Sequence, residues 1–289
     1  MGAICGTIGP VFTVVAIGYF LAGRRELHLP TLADLAILVT SPALMFSVLS
    51  GTELEAERWG VLAGGTLFIA AGTAVLAIGY LCIGAGRRRG LLLPAIFWNA
   101  GNIALPCAQL AFGQEGLEAG AIVFVTMAIL TSTFGIWIAK GENGLGEALR
   151  LPLLYGGVGG MALALTDTTL PRIVMQPIEM LGDMAIPIML LNLGIQLRTL
   201  RVTDLAHSIA VVGIRMGGGI AFGLLFVTFF EIRGLERQIL LLASVMPPAV
   251  INVVFSQRYH RDPNLVASCI VLGTLASLAT IPAVLYFVT

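Results

Sequence analysis

Amides rather than carboxylates mark the two places in this sequence where binding chemistry is concentrated. One is Trp98-Asn99-Ala100-Gly101-Asn102-Ile103-Ala104-Leu105-Pro106, and the other is Met246-Pro247-Pro248-Ala249-Val250-Ile251-Asn252. Each sits within an apolar stretch long enough to cross a bilayer. Proline has no N–H and clashes with the preceding turn, so each helix is expected to unwind at its prolines. Unwound backbone is tolerated at membrane depth only where it is buried in protein or lines a cavity. Two such breaks in matching positions of two halves point to a transport site. An amide offers two donors and an acceptor without net charge. Together with the positive ends of half-helices, Asn99, Asn102 and Asn252 suit a polar or anionic ligand. The other reading is that these side chains only satisfy backbone groups freed by the prolines. A cation exchanger would need carboxylates here, and neither segment holds one.

Composition sets the surroundings of these segments. The chain is 57% hydrophobic and 11% charged, with a mean hydropathy of +0.96. Soluble domains carry about 25% charged residues, so this is a polytopic membrane protein with the lipid bilayer as its solvent. Net charge is zero, which gives no global attraction to nucleic acid. The cysteines (Cys5, Cys82, Cys107, Cys269) have neither metal-ligand nor redox spacing, and they read as small buried hydrophobes. His28, His207 and His260 lie near span ends and form no cluster. The runs Gly156-Gly157-Val158-Gly159-Gly160 and Gly217-Gly218-Gly219 lack a following Lys-Ser/Thr, so they read as close helix packing rather than phosphate loops. No hydrolase or metalloprotease motif is present. The sequence therefore predicts neither an enzyme, nor a cofactor, nor a metal site.

A bilayer core of about 30 Å needs roughly 20 helical residues. Apolar runs predict spans near 4–22, 31–50, 60–84, 91–112, 117–138, 149–166, 174–197, 205–230, 236–257 and 264–288. Most of the 16 basic residues fall in the odd-numbered loops: Arg24/Arg25, Arg87/Arg88/Arg89, Lys140/Arg150, Arg198/Arg201 and Arg258/Arg261. The even-numbered loops hold Arg58, Arg172, Arg233 and Arg237. The positive-inside rule then places the odd loops in the cytoplasm and both termini outside. Ser41-Pro42-Ala43-Leu44-Met45 in the second span aligns with Ile186-Pro187-Ile188-Met189-Leu190 in the seventh. Five spans per half is an odd number, so the halves are expected to be inverted repeats, 1–140 and 149–289, joined by a cytoplasmic linker at 141–148. An ionisable residue inside a span is a functional candidate by default. Asp183 is read as a proton-coupling carboxyl or as a group pinning the bend at Pro187. Arg215 is read as neutralising a bound carboxylate or as snorkelling to the cytoplasmic interface.

Several stretches together resemble the auxin efflux carrier family, which includes plant PIN exporters and bacterial malate and malonate permeases. They are Ser41-Pro42-Ala43-Leu44-Met45-Phe46, Asn99–Pro106 with Ala111-Phe112-Gly113-Gln114-Glu115-Gly116, Leu181–Pro187 through Gly194-Ile195-Gln196-Leu197, and Pro247–Asn252 through Tyr259-His260-Arg261-Asp262-Pro263. The resemblance implies an all-α membrane protein of ten helices in two inverted five-helix repeats, helices 4 and 9 being broken and crossing. It also implies a scaffold of helices 1, 2, 6 and 7, a moving domain of helices 3–5 and 8–10, elevator-type transport and a homodimer. Ala104 stands where the family usually has glycine. The long cytoplasmic loop of plant members is missing, and span 3 has no charged residue between Trp59 and Cys82.

The resulting expectation is a secondary transporter of a small organic anion, a carboxylate, working by uniport or proton coupling in a bacterial inner membrane. Its substrate would sit between Asn99, Asn102, Pro106, Pro247, Pro248 and Asn252, faced by Ser41, Asn192 and Gln196. Asp183 and Arg215 are candidate coupling or charge sites. Two other readings are a sodium-coupled symporter of the bile-acid type and a membrane sensor or scaffold without transport.

Overall fold

A chain this apolar must satisfy its backbone polar groups internally, and in lipid the helix does so within a single segment. The computed structural model describes residues 2–24, 29–51, 56–85, 88–141, 146 and 149–288. Arg25, His28, Arg87 and most of the expected linker lie outside the described residues. The helices are α1 (Gly2–Ala22), α2 (Thr31–Ser50), α3 (Ala56–Ile83), α4 (Leu92–Ile96), α5 (Ala100–Lys140), α6 (Pro152–Leu165), α7 (Arg172–Thr199), α8 (Leu205–Phe229), α9 (Gly234–Ser244), α10 (Ile251–Arg258) and α11 (Pro263–Val288). No named strand occurs among the described residues.

Six of these helices are long and apolar enough to cross a membrane: α2, α3, α5, α7, α8 and α11. Ten such spans were expected, and local breaks account for part of the difference. The stretches 91–112 and 236–257 are broken. The second part of the first joins the next span within α5, which kinks at Gly113, where φ is +67°. The apolar helix at Pro152–Leu165 is shorter. Wide π turns interrupt α2 at Ala36–Thr40, α5 at Ala100–Ala104 and Thr131–Gly135, and α8 at Gly213–Gly218.

Small residues bring helices together, as expected where lipid removes the hydrophobic drive between them. α1 runs along α7, and α2 along α6. A Cβ on Gly18 would overlap the Leu191 carbonyl, and one on Gly194 the Val15 carbonyl, so these two backbones touch. Gly156 does the same against Pro42, and Gly160 against Phe46. α3 packs on α8, α9 and α5, with Gly72 against Phe222 and Gly65 against Leu240.

Outside the spans, Asp204 precedes α8. Its carboxylate accepts from Arg88 Nη1 at 2.7 Å and from the His207 backbone N–H at 3.3 Å, and it lies 3.1 Å from His207 Nδ1. The Arg88 hydrogen bond, followed by that of His207, lowers its pKa from 3.8 to about 2. A carboxylate held down in this way stabilises the fold fully above its unfolded pKa, and the effect is lost as pH falls through the folded value. Below about pH 4, acid should therefore lower the melting temperature of the native protein more than that of Asp204→Asn. Melting curves from about pH 5 to about pH 2 check this, and parallel curves would count against it.

Candidate substrate site

The first break spans Phe97, Trp98 and Asn99. Phe97 is extended, with ψ 110°. Asn99 caps the following helix, its Oδ1 accepting from the Asn102 N–H at 2.9 Å. The second break runs from Val245 to Val250. Pro247 and Pro248 have no N–H to strand, so they fit a segment with few backbone partners. The two breaks satisfy each other. The Asn99 N–H donates to the Pro247 carbonyl at 2.8 Å, and the Ala249 N–H donates to the Phe97 carbonyl at 3.0 Å. Trp98 and Pro248 form an isolated antiparallel bridge between them. On α11, Gly273 leaves room for the proline pair, since a Cβ there would come within 2.5 Å of Pro248 Cδ.

This corrects one expectation. The first helix does not unwind at Pro106, which lies inside α5 beyond the π turn. In that turn the Ala104 N–H reaches back to the Asn99 carbonyl at 3.2 Å. The wide turn absorbs the misfit that the proline would otherwise cause in a regular helix.

A cavity of ≈ 230 Å³ opens beside the breaks. Asn99 reaches it from the first break, Asn102 from the opening turn of α5, and Ser41, Asn192 and Gln196 from α2 and α7. The structure thus brings five of the expected site residues together. Thr131 and Ser132 of α5 and Trp98 also line it. Thr131 and Ser132 went unnoticed in the sequence, although Thr131-Ser132-Thr133 is a polar run within an expected span. The rest of the lining is apolar and includes Phe124, Met127, Met189 and Val254. Among the described lining residues there is no carboxylate and no cation.

The lining hydroxyls are partly committed. The Ser41 Oγ–H donates to the Ala36 carbonyl at 2.6 Å, and the Thr131 hydroxyl donates to the Met127 carbonyl at 2.7 Å. The amides are freer. Asn99 is 4% exposed, and because its Oδ1 is fixed by the cap, its buried Nδ2 is left without a partner. Asn192, 6% exposed, has an unpartnered Oδ1. Buried polar atoms without partners are rare in native proteins.

The remaining candidates lie elsewhere. Pro106, Pro247 and Pro248 are buried and do not line the cavity. Asn252 is fully buried and donates its Nδ2 to the Phe97 carbonyl at 2.9 Å, so it ties the breaks together. Asp183 sits on the exposed side of α7 beside its bend at Met184, away from the cavity. Arg215 neither snorkels nor reaches the cavity. It is fully buried, donates to the Ile96 carbonyl at 3.3 Å and the Ser244 carbonyl at 3.0 Å, and stacks 4.6 Å from the centroid of Trp98.

The family described as membrane transport protein matches residues 141–285, half of the chain, and the chain belongs to that family. The likeness to auxin efflux carriers read from the sequence is thereby shown. The protein is a membrane transporter rather than an enzyme. An uncharacterized transporter of Methanothermobacter thermautotrophicus is 28% identical over 300 aligned positions, covering 96% of this chain and 95% of its own. An uncharacterized transporter of Methanocaldococcus jannaschii is 26% identical, covering 94% of each. A protein of Rhizobium meliloti named "Putative malonate transporter" is 25% identical, covering all of this chain and 97% of its own.

Proposed function

We propose that this protein is a secondary transporter of a small organic anion, a carboxylate, bound in the cavity between Asn99 and Asn102 on one side and Ser41, Asn192 and Gln196 on the other. The observation that carries the reading is the Asn99 amide, buried at the cavity with its Nδ2 lacking a partner. A carboxylate oxygen is the acceptor such a donor needs, and the apolar wall suits the carbon body of an organic acid. The relative named for malonate transport supports the same class.

In this reading the ten helices form two inverted repeats, 1–140 and 149–289, and helices 4 and 9 cross at the breaks. α1, α2, α6 and α7 form the scaffold, and the rest carries the site past it in an elevator motion. The cavity, lined from both groups of helices, is where such a motion would change access. The protein sits in the cell membrane with both termini outside and works as a homodimer. Arg172, Gln176 and Asp183 are exposed on one helix of the scaffold, and a second copy would shield Asp183 from lipid. The position of Asp183 away from the cavity favours uniport over proton coupling through that residue. The cavity's lack of a carboxylate among its described residues speaks against a sodium site.

Uptake of labelled malonate, malate and indole-3-acetate into proteoliposomes tests the reading, with and without an inward proton gradient. Uptake of at least one anion is expected, unchanged when choline replaces sodium and unchanged in Asp183→Asn. No uptake of any of the three would overturn the carboxylate assignment.

A further inference from the structure

We infer that Arg215 is a positioning residue that sets the sign of the cavity. It neutralises the carbonyl ends of the two half-helices that stop at the breaks, and so leaves the opposing positive helix ends unopposed. This rests on the reading of the cavity as an anion site, but it can fail separately.

α4 ends at Ile96 and α9 ends at Ser244, one on each side of the paired breaks. A helix C-terminus leaves its last carbonyls unpaired, and these carry partial negative charge. Two such ends beside the cavity would repel an anion. The Arg215 guanidinium donates to one carbonyl of each, Ile96 and Ser244. The sequence around it provides the space. A Cβ on Gly219 would collide with both the Ser244 carbonyl and the Arg215 guanidinium, so glycine there lets the side chain through. Its far face lies on Trp98, which lines the cavity.

Arginine stays protonated in proteins, and a buried charge without a counter-ion is costly. Among the described residues no carboxylate pairs with Arg215. Its compensation is the two carbonyl ends, and beyond Trp98 the remaining field falls on the cavity. The buried, unpartnered Asn99 Nδ2 adds a donor on that side. A purely structural role would need only the two hydrogen bonds. A role in the field needs the charge, so glutamine and lysine at this position separate the two.

The test places a single thiol in the cavity with Ala128→Cys, in a background where the four native cysteines are replaced. Its reaction rates with anionic sulfonatoethyl and cationic trimethylammonioethyl methanethiosulfonate are each normalised to those of free 2-mercaptoethanol. With Arg215 present, the normalised ratio should favour the anionic reagent. In Arg215→Gln it should fall about tenfold, as expected for one buried charge near the thiol, and Arg215→Lys should restore it. A ratio favouring the cation with Arg215 in place would overturn the inference even if the glutamine variant does not fold. An unchanged ratio in folded Arg215→Gln would overturn it as well. Anion preference through Arg215 without carboxylate uptake would sustain this inference and remove the transport reading. Carboxylate uptake with no effect of the Arg215 charge would do the reverse.

Discussion

Asn99→Asp is expected to lower carboxylate uptake about a hundredfold or more while leaving the protein folded. The two side chains have the same shape. Aspartate keeps an oxygen where Oδ1 accepts from the Asn102 N–H, so the helix cap survives. The unpartnered Nδ2, however, becomes a second oxygen. The site loses its buried donor and places a carboxylate group where the substrate's own must bind. Asn99→Ala removes the donor and the cap together, so it should also cost about 1 kcal/mol of stability. Melting temperature and proteoliposome uptake measured on both variants separate the two effects. A folded Asn99→Asp protein that transports at the native rate would remove Asn99 from the site.

The largest effect on stability should come from Gly194→Val. α1 and α7 touch through Gly18 and Gly194, and the obstacle to a side chain on Gly194 is the Val15 carbonyl and the Tyr19 nitrogen. Backbone cannot rotate away as a side-chain tip can. Overpacking in a core costs about 1–3 kcal/mol when side chains yield, and here the helices must separate instead. The variant should give no monodisperse protein by size-exclusion chromatography. Gly9→Ala on the same helix pair, in α1, meets nothing within 4 Å and should behave as native. Normal elution of Gly194→Val would contradict the packing of α1 on α7.

The breaks are legible in the sequence because proline and asparagine inside an apolar run disrupt the helix and burden the bilayer unless they are put to use. The facing residues Ser41, Asn192 and Gln196 are legible too, through the proline-marked likeness of spans 2 and 7. Which way each polar side chain turns is not. Asn252 resembles Asn99 in its setting, yet it donates to the Phe97 carbonyl, 155 residues away. Arg215 reads as a snorkelling or ligand-facing cation. Its true partners are the ends of α4 and α9, which exist only once both breaks have formed. Pro106 reads as the site of unwinding because the π turn that accommodates it has no clear signature in sequence. Thr131 and Ser132 form a polar run with Thr133, but hydrogen bonding to nearby carbonyls is an equally common use of such residues.

The mutual pairing of the breaks also bears on how the chain is made. When the ribosome has delivered the first half to the membrane, the Phe97 carbonyl and the Asn99 N–H have no partner, because Ala249, Asn252 and Pro247 have not yet been synthesised. Exposed backbone groups in hydrocarbon are strongly unfavourable. The early segment must therefore wait at the lipid–water boundary or beside the insertion machinery until the second break arrives. Final seating of residues 97–99 is thus a late event in biogenesis. A chain truncated before Pro247 would be a substrate for membrane quality control rather than a half-transporter.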